Sequence, residues 1–191
     1  MSEIPNNKEV LKDLKYIRRQ TWDEVFNTWQ SNEDGPGFKR VYLDRGYADW
    51  QAWRNTVVQR LHLDELDWSL YDVQSPAITV PSFHGGPFKP WIERYYDGAN
   101  EPTFEQIIKF PGTDIQSRRK FVDIIKASKD VDLVGLLKDK KIYIIEGMHR
   151  CVAITLAASR NKSFNASVRI SLANSNLSHF PMEGETPGTT R

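Results

Sequence analysis

The chain has 191 residues, with 26 Lys and Arg against 25 Asp and Glu and a formal net charge of +1, so no global field pulls it toward nucleic acid and any anion site is local. Its one cysteine excludes an internal disulfide and a thiolate-rich zinc site, while 39% hydrophobic residues and six tryptophans suffice for a real core. No apolar run approaches the roughly 20 residues of a membrane helix, and the first residues lack a secretory signal, which predicts a cytoplasmic protein with no membrane partner.

In chain order, Val10, Leu14 and Ile17 form a helical stripe flanked by lysines and arginines. Thr21 and Glu24 form a capping box that opens a second helix, with Trp22, Val25, Phe26 and Trp29 facing one way until Asp34-Gly35-Pro36-Gly37 stops it. A third helix is predicted over Ala48–His62, presenting Trp50, Trp53, Val57 and Leu61. Residues 1–72 therefore read as a helical N-terminal extension, 73–181 as the main domain, and 182–191, rich in Glu, Gly, Pro and Thr, as a disordered tail. The tryptophan stripes read as core, or as anchors of a homodimer interface.

After Ser75-Pro76 the pattern changes. Ala77–Val80 alternates as a strand, and the Gly- and Pro-rich segment 81–90 must be a loop. Thr103 and Gln106 cap another helix, Pro111-Gly112 closes it, and Ile115–Ala127 reads as a helix with Arg118, Arg119 and Lys120 on its polar side. A short helix is expected near Val131–Leu137. Then come a strand at Ile142–Ile145, a helix at Cys151–Ser159 and an alternating strand over Ala166–Leu172. The fold class is α+β.

Most of the functional information lies in Glu146-Gly147-Met148-His149-Arg150, between the Ile142–Ile145 strand and the following helix. Glycine at such a turn, followed by His and Arg, aims positive groups and free backbone amides at one point, which is where a phosphate binds well. Gly147 supplies backbone freedom or close approach, Met148 its amide, and His149 and Arg150 donors to phosphate oxygens. An arginine at a helix N-terminus is unfavourable by roughly 0.3–1 kcal/mol unless an anion offsets it. Glu146 is open to three readings: a catalytic base for a substrate hydroxyl, a magnesium ligand, or a polar strand end pairing with Arg150.

The strand, the Gly-X-His-Arg turn, the alanine-rich helix and the next strand together resemble the ParB/sulfiredoxin superfamily over Ile142–Leu172, with Ala77–Val80 as an early strand of the same small mixed sheet. Sulfiredoxins place a reactive cysteine at X. Here X is Met148, whose thioether cannot do that chemistry, and Cys151 is expected to be buried. ParB proteins bind a cytidine nucleotide there and carry a helix-turn-helix afterwards, for which fewer than 20 residues leave no room. The closest likeness is to ParB-like free serine kinases, whose segment is an acid, Gly, X, His, Arg. That resemblance implies a kinase using ATP or ADP with magnesium on a small serine-like hydroxyl metabolite, Glu146 (usually Asp in the family) and His149 being catalytic. The family's second acid has no assigned position here. The alternative is a non-catalytic nucleotide- or nucleic-acid-binding regulatory module, although the near-neutral charge balance argues against nucleic acid as the partner. Weaker substrate-binding candidates are Ser82 and His84, beside Gly85-Gly86, and Arg118.

Overall fold

A computed structural model describes residues 9–33, 35–117, 130–162 and 166–181. The chain is α+β, built on a six-stranded mixed sheet in the order β1-β2-β6-β4-β5-β3. The strands are β1 (Leu14–Gln20), β2 (Trp68–Val73), β3 (His84–Gly85), β4 (Asp130–Lys138), β5 (Lys141–Glu146) and β6 (Ser167–Asn174). β3 runs parallel to β5 and β4 parallel to β6; the other pairings are antiparallel.

Seven helices are present among the described residues. The first three are α1 (Trp22–Glu33), α2 (Pro36–Asp44) and α3 (Trp50–Leu61). Then follow α4 (Pro76–Thr79), α5 (Lys89–Tyr95), α6 (Phe104–Ile107) and α7 (Met148–Ser159). The Thr21–Glu24 capping box forms, with the Thr21 amide donating to Glu24 at 2.8 Å and the Glu24 amide to Thr21 Oγ1 at 3.3 Å. Thr103 and Gln106 form a second box at the head of α6. Asp49 caps α3 by accepting from the Ala52 amide at 2.7 Å.

The central strands are covered on both faces, and their period of two sorts side chains between two cores. Leu133 and Leu137 of β4, Ile142 and Ile144 of β5, and Val168, Ile170 and Leu172 of β6 pack with Cys151, Val152, Ile154 and Leu156 of α7. Val134, Leu136, Ile145, Ala173 and Trp68 turn the other way, against Val25 and Trp29 of α1 and Trp50, Trp53, Val57 and Leu61 of α3. The tryptophan stripes are core: Trp29, Trp50 and Trp68 are at most 2% exposed.

Three expected elements are corrected. The Val10–Ile17 stripe is not a helix, because β1 begins at Leu14 and pairs with β2; only Leu14 of it is buried, and Ile17 is exposed. Ala77–Val80 is not a strand. Pro76 in the first turn and Ser75 at φ 47° start α4 instead, which a 3-10 turn at Val80–Ser82 continues. Val131–Leu137 is not a helix but the middle of β4, a continuous apolar run because both its faces are covered. The first third thus supplies two strands of the main sheet as well as three helices, and residue 72 lies inside β2. Most of the Ile115–Ala127 helix and the 182–191 tail lie outside the described residues.

Candidate functional site

β5 ends at Glu146 and α7 begins at Met148, with Gly147 between them at φ 99° and ψ 11°. A side chain at 147 would be strained at that φ, and its Cβ would also meet Leu133 Cδ2 at 2.4 Å. No side chain caps the amides at the start of α7. Glycine therefore serves twice, turning the chain and keeping the helix start pressed against β4.

Glu146 is 5% exposed. Its Oε1 accepts from Arg150 Nη2, one helical turn on, and its Oε2 accepts from Asn32 Nδ2 of α1 at 3.1 Å. The same Asn32 nitrogen lies 3.4 Å from the Asp132 main-chain oxygen, so the carboxylate is gripped from both the turn and the N-terminal helices. Burial pushes the Glu146 carboxyl up to about 7, and the nearby Glu33 adds to the rise. The pull of Arg150 and Arg54 and the Asn32 hydrogen bond oppose it without overcoming burial.

Behind Glu146 lies a second buried pair. Glu33 Oε2 accepts from Arg54 Nε at 2.6 Å and from Trp50 Nε1 at 3.1 Å, and Glu33 Oε1 accepts from Arg54 Nη2 at 2.7 Å. The Arg54 guanidinium lies 3.6 Å from the centre of the Trp53 ring and 5.3 Å from that of Trp29. Bidentate pairing and ring stacking offset the cost of burying these charges.

The two pairs line one cavity of about 480 Å³. Its walls are the 145–150 segment, the α1–α3 helices, and Phe88, Pro90 and Trp91 at the start of α5. Arg45, Arg54, Arg60 and Arg150 line it together with Glu33 and Glu146. His149 is half-buried, its ring set edge-on to Trp91 at 4.9 Å.

The residues Glu146, Gly147, Met148, His149 and Arg150 thus share one cavity. Ser82 and His84 do not line it. Ser82 is exposed and donates to the Thr79 carbonyl at 2.7 Å. His84 packs on Tyr143, and its Nδ1 lies 2.6 Å from the Glu101 carbonyl; burial lowers its pKa. Both therefore serve the chain around β3 rather than the turn. Arg118 lies outside the described residues. Cys151 is fully buried and its thiol is pushed far up by burial, so it is no nucleophile.

Sequence reading missed Asn32, Glu33 and Arg54. A signal existed: Arg54 falls on the α3 face with Trp50, Trp53 and Val57, and Glu33 follows Trp29 by one turn on α1. A charge on an apolar helix face marks a buried pair, but the sequence could not say that both would back onto Glu146. Among the described residues no group of three or more His, Cys, Asp or Glu is placed to hold a metal ion. Nor is any described helix long and apolar enough to cross a membrane. No protein-family model, curated protein or solved structure matches the chain.

Proposed function

We propose that the protein binds the phosphates of ATP or ADP at the Gly147–Arg150 turn and transfers a phosphoryl group to the hydroxyl of a small, serine-like metabolite. On this reading the domain is ParB/sulfiredoxin-like, with an N-terminal extension that walls the site. The observation that carries it is the buried Glu146, with a carboxyl that titrates near neutrality, set beside Arg150 at an uncapped helix start inside an arginine-lined cavity. A general base works best with a pKa near the working pH, and Glu146 meets that condition.

Phosphate oxygens share Arg150 with Glu146. The guanidinium can donate to the incoming anion while staying beside Glu146, which keeps that carboxyl near neutrality with an ionised fraction able to act as base. Glu146 is then poised to take the proton of a substrate hydroxyl as that oxygen attacks the terminal phosphorus and the bridging P–O bond breaks toward the leaving nucleotide. His149 donates to a phosphate oxygen, and the α7 amides spread the developing charge. Among the described residues Glu146 is the one carboxylate at the turn itself, so magnesium fits here only as a companion of the nucleotide, which supplies most of its ligands.

The test is titration calorimetry with ATP, ADP and CTP, with and without magnesium, joined to turnover with small hydroxyl acceptors. Arg150→Ala should abolish nucleotide binding; unchanged affinity refutes the site. Glu146→Gln should bind nucleotide but not turn over, and surviving turnover removes Glu146 as base. Binding of CTP alone, with no acceptor phosphorylated, would support a non-catalytic ParB-like module instead.

A further inference from the structure

The cavity is larger and less polar than a phosphate cradle needs. Volumes of about 300–1,000 Å³ are typical of sites that enclose a whole small molecule, and this one holds about 480 Å³. Away from the turn its walls carry apolar surface, Phe38 and Val41 of α2, Val57 of α3, and Phe88 and Trp91 before and within α5, interspersed with Arg45, Arg54 and Arg60. A bare polyphosphate would leave that surface against water, while a purely apolar ligand would meet four arginines. The lining suits a molecule that combines a flat apolar part with an anionic one. The Arg54 guanidinium already covers Trp53 at 3.6 Å, so a ring here packs on Phe38, Val41 and Val57 instead.

Building on the phosphate reading above, we infer that the α2–α3 side of the cavity is the subsite for the heteroaromatic base of the nucleotide whose phosphates meet Arg150. The N-terminal helices, not the sheet, then choose the nucleotide. The turn is blind to the base, because everything it offers is aimed at oxygens. Selection falls to Phe38, Val41, Thr56 and Val57, which the turn-bearing segment does not encode.

Thr56 and Val41 line the cavity from exposed positions, so a larger side chain at either narrows the subsite without entering the core. Thr56→Trp and Val41→Trp are compared with wild type by calorimetry against ATP, CTP and inorganic tripolyphosphate. Melting curves that match wild type establish that only the cavity wall has changed. The expected result is a loss of about tenfold or more for whichever nucleotide binds, roughly 1.4 kcal/mol, with tripolyphosphate affinity unchanged. Arg150→Ala should weaken nucleotide and tripolyphosphate alike. If wild type binds tripolyphosphate as tightly as nucleotide, or if neither tryptophan variant alters nucleotide affinity, the base subsite is wrong while the phosphate site stands. If wild type binds none of the three, both fall.

Discussion

The two faces of the sheet are packed by opposite rules. On the α7 face the cover is aliphatic and small: Cys151, Val152, Ala153, Ile154 and Leu156 meet Leu133, Ile144 and Ile170, all at most 2% exposed. On the α1–α3 face the cover is aromatic, and Glu33, Arg54 and Glu146 are buried within or beside it. Apolar packing needs no partner-by-partner matching, whereas each buried charge must find its counterpart. The α7 face therefore acts as a platform that holds α7 in place. The α1–α3 face keeps its costly charged groups at the cavity.

The largest test of that contrast is Arg54→Ala, which leaves Glu33, among the described residues, with the Trp50 indole alone as side-chain donor. Breaking a buried pair from one side costs about 3–5 kcal/mol, to be read in urea unfolding. Replacing both partners, as Glu33→Leu with Arg54→Met, should recover much of that loss. If the single change is as mild as a surface substitution, the pair is not buried as described.

Next comes a pH dependence confined to the charged face. The Glu146 carboxyl titrates near 7 when folded and at its ordinary 4.5 when unfolded. Between those values the folded state holds a proton that the unfolded state has released. Stability from this group is thus complete below about pH 4.5 and is lost as the pH rises through 7, by about 3 kcal/mol in all. Glu146→Gln should remove that slope, so its unfolding free energy relative to wild type should improve from pH 5 to pH 8. Parallel curves would mean that Glu146 is ionised throughout.

The smallest effect belongs to the apolar face. Cys151→Ala should cost about 1 kcal/mol, the loss of one small buried group, and the cost should be equal at pH 5 and pH 8 because the buried thiol does not ionise there. A pH-dependent loss would mean that the two faces are electrostatically coupled.

What the sequence reveals follows the same division. The β5–turn–α7–β6 segment was legible because its signals are local: an apolar run, a glycine, a small-residue helix and an alternating strand within the 34 residues from Lys141 to Asn174. Both capping boxes were legible because each is complete within four residues. β1 was misread because Val10, Leu14 and Ile17 fit a helical period equally well, and what makes the segment a strand is β2, more than 50 residues later. β4 was misread because a strand covered on both sides has no alternation to read. The Gly147–Arg150 side of the cavity could be found in one stretch of chain. Its other wall could not, since Asn32 and Glu146 are 114 residues apart and only the fold brings them together.

The place of β6 between β2 and β4 has a consequence for how the molecule is made. β2 pairs with a strand, Trp68 opposite Ala173, that leaves the ribosome about a hundred residues after it. Until then β1 and β2 can form only a two-stranded ribbon, which is marginal alone, and the aromatic flank of α1–α3 has no sheet to cover. Synthesis therefore passes through a long interval in which Trp29, Trp50 and Trp53 lack their final neighbours on β4 and β5. A nascent chain stalled before residue 167 should be the species that chaperones hold and proteases cut, and release should follow only when the last strand slots into the middle of the sheet.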